Sequence, residues 1–246
     1  MLQSGRIVGT GPPGCRRGVP TLMSGSTRFT VFWLYKARPE WRTLADAERT
    51  EGRDAFLRTL DAHRDTVTLR AAYSTVGFSA DVDLILWTIA DDVDALQALA
   101  VDLNRTPLGQ HLEMRHAYLG LATASQYDPE HGPAFLKGVP PKKYLSVYPF
   151  TKTPEWYLLP FEKRRELMLV HGELGREFPT ILTNTVSSFG IADQEFVVAL
   201  EDDDPAQLVA MVQRLRAAEV RIYTKVDTPI FLGRRKEPQE ALLDLG

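Results

Sequence analysis

The chain has one cysteine, Cys15, in 246 residues, so no internal disulfide staples it and its stability has to come from burial. It has no run near the roughly 18 consecutive apolar residues of a membrane span, so an integral helical span is not expected. Neither charge sign dominates: 29 Lys+Arg against 32 Asp+Glu leave a formal net charge of −3. Without a segregated basic block, nucleic acid is not an expected partner. There is no Walker loop, no dinucleotide glycine fingerprint, no CxxC and no HExxH, so nucleotide cofactors and structural zinc are not indicated. His111 and His116 straddle an expected helix-to-strand boundary, a pattern too weak for a metal pair. No secretory apolar stretch is seen at the start, and a cytoplasmic location is the expectation.

What is present is 44% hydrophobic residues, enough for one large domain or two ordinary ones. Residues 1–24, rich in Gly, Pro and Arg, read as a tail or as an extension from an upstream start, with Met23 just before the first patterned segment. Residues 25–126 then read as a βαββαβ unit. "RFTVFWLYKA" is a strand, and "LADAERTEGRDAFLRTLDAH" has helical spacing in Leu44, Ala47, Phe56, Leu57 and Leu60. "VTLRAAYSTVGFS" and "DVDLILWTIA" are strands, "VDALQALAVDLNRT" is a helix and "HAYLGLATAS" a last strand.

Residues 143–236 repeat that order, from "KYLSVYPF" as strand through "WYLLPFEKRRELMLVHGELGREF" as a single helix to "RIYTKVDTPIFLG" as a final extended segment. The internal match extends to letters: "STVGFSADVDLILWTIADDVDALQALAVDLNR" lies against "NTVSSFGIADQEFVVALEDDDPAQLVAMVQRLR". An acidic turn precedes each second helix, where Asp suits the helix start. The expected fold class is α+β, two ferredoxin-like repeats whose sheets pack together and leave a cavity between them. Residues 127–142, with several Pro and Gly, read as a linker loop, and 237–246 as a partly ordered tail.

Aromatic and cationic side chains crowd the junction after the first strand of the second repeat. Tyr148 precedes Pro149, which holds it extended, either as a strand-end aromatic over the sheet or as part of a site. Lys152 reads as a solvated loop lysine or as the partner of a carboxylate ligand. His171 shares a helix face with Met168, Leu174 and Gly175. It reads either as a hydrogen-bonded core histidine or as an axial ligand, with Gly172 and Gly175 small enough to let a flat ligand approach. His131, between Pro129 and Pro133, is either an exposed loop histidine or a base that titrates near neutral pH.

Taken together, "KYLSVYPFTKTPEWYLLPFEKRRELMLVHGELGREF", "NTVSSFG", "LEDDDP", "LRAAE" and "TPIFLGRR" resemble the chlorite dismutase-like family and, within it, the coproheme decarboxylases of the actinobacterial type. The likeness runs from about residue 28 nearly to the end. It implies His171 as the iron ligand, Tyr148 as the residue that forms the radical starting decarboxylation, and His131 as the base for hydrogen peroxide. It also implies Lys152 as a propionate contact, Thr183 and Asn184 as cofactor contacts near the position where chlorite dismutases carry an arginine, and Glu219 as a further contact near the iron-ligating histidine. Iron coproporphyrin III would be both substrate and redox cofactor, losing carboxylate from propionates 2 and 4 to give haem b. Trp156 and Tyr157 would be mostly packing, with Trp156 a competing radical site. The resemblance further implies a homopentamer and delivery of coproheme by a ferrochelatase. Alternatives are a haem-dependent peroxidase or chlorite dismutase, or a porphyrin-binding module without catalysis.

Overall fold

A computed structural model describes residues 28–123, 125–127 and 132–246. The segment 1–24 and His131 lie outside the described residues. The first half consists of β1 (Arg28–Ala37), α1 (Asp46–Ala62), β2 (Val67–Ser74), β3 (Leu84–Ala90), α2 (Val93–Arg105), the one-turn α3 (Pro107–Gln110) and β4 (Leu112–Ala122). The second consists of β5 (Tyr144–Lys152), α4 (Pro154–Leu158), α5 (Phe161–Arg176), β6 (Leu182–Ser187), β7 (Phe196–Asp202), α6 (Pro205–Arg216), β8 (Thr224–Val226), β9 (Phe231–Lys236) and α7 (Pro238–Leu243). The acidic turns act as the sequence suggests: the Asp92 side chain accepts from the Ala95 amide and that of Asp204 from the Ala206 amide.

All strand pairs are antiparallel, in the order β7-β6-β4-β1-β3-β2-β9-β5, and a β5–β7 pairing closes the ring. The halves therefore meet edge to edge as well as face to face. One seam pairs Leu121 of β4 with Ser187 of β6, and the other pairs Ala72–Ser74 of β2 with Arg234–Lys236 of β9. Each seam has a glycine against which a side chain of the other half packs closely. A Cβ at Gly120 would lie 2.4 Å from Val186 Cγ2, and one at Gly233 would lie 2.7 Å from Tyr73 Cβ.

Strand alternation sends one face of each sheet into the ring. Phe32, Tyr73, Trp87, Leu145, Val197 and Phe231 fill it, so the expected cavity between the sheets is instead a packed core. Large aromatic and branched side chains from both faces use up the inter-sheet space. The other face of the first sheet carries α1, α2 and α3 over Trp33, Tyr35 and Leu86, with Trp41, Phe56 and Leu103 completing a second core.

Two further expectations are corrected. The single helix expected over 156–178 breaks at Pro160, because the residue before a proline is pushed out of helical conformation: Leu159 has φ −64° and ψ 146°, and α5 starts afresh. The expected tail at 237–246 contains α7, whose Ala241 and Leu242, with Leu245, are buried in the first half's core. Trp41 Nε1 donates to the Gly246 carbonyl at 2.9 Å, and Arg42 Nε to that of Leu245 at 3.2 Å.

One buried carboxylate ties the halves and the linker together. Glu201 on β7, at 0% exposure, accepts from Arg70 Nη2 of β2 at 2.7 Å, Asn184 Nδ2 of β6 at 3.0 Å, the Lys142 amide at 2.9 Å and the Tyr73 hydroxyl at 3.2 Å. The Arg70 guanidinium lies 4.6 Å from the Trp87 ring centroid and also donates to the Val139 carbonyl at 2.9 Å. A buried charge pair is tolerable when most of its remaining hydrogen-bonding capacity is met; here both Glu201 oxygens and both terminal nitrogens of Arg70 are partnered, and Arg70 Nε alone of the pair's polar atoms is not.

Candidate functional site

The outer face of the second sheet is built by alternation and register. Tyr148 of β5 lies opposite Val198 of β7, which lies opposite Thr185 of β6; one step along, Ser146, Leu200 and Thr183 form the neighbouring row. Tyr148, Val198 and Leu232 pack with Ile181, Leu200 and Met211 beneath α6. This face is thus an apolar floor with hydroxyls set into it.

A charged group borders the floor. Arg216 at the end of α6 and Arg221 in the turn that follows both pair with Asp227, at 2.7 and 3.3 Å. Tyr148 feels all three: burial first, and then Asp227, push its phenol up to about 12, while the two arginines pull the other way. The hydroxyl therefore keeps its proton throughout the physiological range. Arg221 also bears on Lys152, the last residue of β5.

Lys152 is only 8% exposed, although lysines usually remain in solvent. Its ammonium sits 4.5 Å from the Trp156 ring centroid and 5.2 Å from that of Phe150, where ring quadrupoles replace part of its lost hydration. Burial, the largest cause, brings its pKa down to about 8; Glu195 opposes the shift and Arg221 adds to it. Such a lysine gains from any carboxylate that joins it.

α5 carries His171 on its inward face, between Leu167 and Met168 one turn before and Leu174 one turn after. α5 rests on α6 and on the 3-10 turn Glu219–Tyr223. At Gly175 a Cβ would make only an ordinary contact, 3.5 Å from Met211 Cε, so the helices leave room there for a larger residue. At Gly172, next to His171, a Cβ would meet nothing within 4 Å. A half-buried imidazole beside open space suits a flat ligand. Among the described residues no group of three or more His, Cys, Asp and Glu could hold a metal ion. A metal at His171 would therefore need most of its donors from the ligand itself, which a porphyrin provides.

Tyr148, Lys152 and Thr183 thus belong to one face and its edge, and α5 presents His171 over the same half. Asn184 does not join them. As the neighbour of Thr183 it points to the opposite face, fully buried, where its Oδ1 accepts from the Phe135 amide at 2.9 Å and its Nδ2 donates to Glu201. Both ends of its amide serve the linker and the inter-sheet core, which corrects the expectation of a cofactor contact. Glu219 is exposed at the start of the turn that supports α5. Sequence reasoning missed Arg216, Arg221 and Asp227, because nothing in their spacing distinguishes them from surface charges until the turn brings them together.

The chain and its fold have known counterparts. The family model for chlorite dismutase matches residues 46–236. A protein of Mycolicibacterium smegmatis named coproheme decarboxylase is 38% identical over 170 residues, 69% of this chain and 74% of the relative. A chlorite dismutase mutant from Candidatus Nitrospira defluvii superposes with a TM-score of 0.83 at 20% identity, covering 91% of this chain and 97% of that one. A putative chlorite dismutase gives 0.78 at 24% identity, covering 89% and 98%. The chain belongs to the chlorite dismutase family.

Proposed function

We propose that this protein is a coproheme decarboxylase, which converts two propionates of iron coproporphyrin III to vinyl groups and so yields haem b, with hydrogen peroxide as oxidant. The observation that carries this reading is a protonated phenol, Tyr148, set in an apolar floor and bordered by Lys152, Arg216 and Arg221. A polycarboxylate porphyrin matches that pattern, and the Mycolicibacterium relative bears the corresponding name. For each propionate the reaction balances as R–CH2CH2–COOH + H2O2 → R–CH=CH2 + CO2 + 2 H2O.

When bound, the iron porphyrin would supply the redox chemistry toward peroxide, and His171 would be the residue that holds it. His131 takes the proton from peroxide. Tyr148 gives up a hydrogen atom, not a bare electron, because its phenol is protonated, and it then takes one from the β-carbon of a propionate. Loss of a second electron and of CO2 leaves the vinyl group. Lys152 pairs with a substrate carboxylate, Thr183 lines the same face, and Glu219 acts on His171 through the turn beneath α5. The same reading carries a homopentameric assembly supplied with substrate by a ferrochelatase.

Reconstitution with iron coproporphyrin III under anaerobic conditions, followed by stepwise peroxide and mass analysis of the porphyrin, tests the proposal. Two successive losses of CO2 plus two hydrogens are expected. Tyr148→Phe should bind the porphyrin with unchanged affinity and leave its mass unchanged. Tight binding with an unchanged porphyrin in the unsubstituted protein would move the assignment to a haem peroxidase or a porphyrin-binding module.

A further inference from the structure

Tyr157 has no part in the site above, yet its setting is that of a redox-active phenol. Its hydroxyl donates to Glu195 Oε2 at 2.5 Å, and the ring is 36% exposed. The same carboxylate oxygen accepts from the Lys152 amide at 2.7 Å, which fixes Glu195 against the end of β5. Oxidation of a phenol releases a proton, and it is easiest where a base already holds that proton in a hydrogen bond. Burial and the hydrogen bond to Glu195 push the Tyr157 pKa up, so the phenol is protonated and Glu195 is its acceptor.

Oxidisable rings also lead inward from this point. Tyr127 bears electrostatically on Tyr157 and lies 6.3 Å, centroid to centroid, from Trp156. Trp156 is 3% exposed and is the ring on which the Lys152 ammonium rests. The path therefore runs from the lysine that faces the substrate carboxylate, through a buried indole and a half-buried phenol, to an exposed phenol with its own base.

We infer that the Tyr157–Glu195 pair is a second oxidation site, through which oxidising equivalents leave the pocket by way of Trp156 and Tyr127 and are passed to small phenols in solution. The inference rests on the peroxide-driven reading above. In each event Tyr157 gives an electron to the peroxide-oxidised centre and its proton to Glu195, forming the Tyr157 radical. An external phenol, ArOH, returns a hydrogen atom to Tyr157, and Glu195 releases its proton to balance those consumed at peroxide. The sum is H2O2 + 2 ArOH → 2 H2O + 2 ArO•. The site would protect the protein once the propionates have reacted.

The first test needs no porphyrin. Photo-oxidation of the ligand-free protein with a flash-quenched ruthenium complex, read by electron paramagnetic resonance, should give a tyrosyl signal that disappears in Tyr157→Phe. In Glu195→Gln, which keeps an acceptor but no base, that radical should form on the order of 100-fold more slowly. In the coproheme-loaded protein, Tyr157→Phe should still decarboxylate while peroxide-dependent oxidation of guaiacol falls about tenfold. An undiminished tyrosyl signal in Tyr157→Phe, or equal guaiacol oxidation, would overturn the second site whatever the fate of the propionates. Failure of decarboxylation with a normal photo-oxidation result would instead count against the main reading alone.

Discussion

The two halves share one βαββαβ order and differ in what fills the layer between sheet and helices. In the first half that layer is continuous and apolar: Trp33, Trp41, Phe56, Leu99 and Leu103 cluster together, and α7 closes it with Ala241 and Leu242. In the second half it is divided. Trp156, Leu167 and Val220 form one small cluster and Ile181, Leu200, Leu208 and Met211 another, while Lys152, Arg216, Arg221 and Asp227 gather near Tyr148. The same unit serves as a stabilising layer where its helices are fully seated and offers a candidate site where they are held apart. The second half can carry buried charge and open space because the first half and the barrel interior supply the burial that holds the chain folded.

Perturbing that division gives graded outcomes. The largest effect should come from the group that joins the halves. Glu201→Ala leaves Arg70 buried without its carboxylate and should cost about 3–5 kcal/mol in urea unfolding. Phe56→Ala, in the filled layer, should cost a similar ~3–5 kcal/mol while coproheme affinity of the folded protein stays constant. Equal loss of affinity there would mean that the two layers are not independent. At the seams Gly120→Ala or Gly233→Ala forces Val186 or Tyr73 to move, with an expected cost of about 1–3 kcal/mol.

The smallest effect on stability, and the most informative for function, concerns Lys152. Its pKa in the folded protein, about 8, lies below the 10.5 of a free lysine. The folded state thus sheds this proton first, so the penalty for burying the charge is complete below pH 8 and fades as pH rises toward 10.5. Lys152→Met should accordingly raise the Tm of the ligand-free protein slightly at pH 7, and the gain should shrink at higher pH. Coproheme affinity should fall about tenfold in this variant, the value of one charge-assisted hydrogen bond. In the unsubstituted protein affinity should weaken as pH rises through about 8, because a neutral amine no longer pairs with a propionate. A flat pH profile would remove Lys152 from the substrate contacts.

Much of this architecture is legible in the sequence for a simple reason: side-chain period follows backbone geometry. The alternation in "TVFWLY" feeds two cores at once, and the acidic residues before α2 and α6 cap those helices as their chemistry requires. Pro160 also marks its break in plain sight, although helical spacing on both sides hides it. Thr183 and Asn184 show where reading stops. Adjacent residues on a strand point to opposite faces, and only the register with β7 decides which one meets the site and which meets Glu201.

The sequence by itself determined the repeat, the strand and helix order and the residue types at the YPF and HG elements, because these depend on local spacing alone. Tertiary structure decided that the sheets close into a ring with a solid interior, and that residues 237–246 cover the first half instead of trailing from it. It also brought Arg216, Arg221 and Asp227 to Tyr148 and buried the ammonium of Lys152 against Trp156. Those outcomes depend on contacts between segments far apart in the chain, and neither the burial of a charge nor the face a strand residue occupies is set until the partner strand and helix are in place.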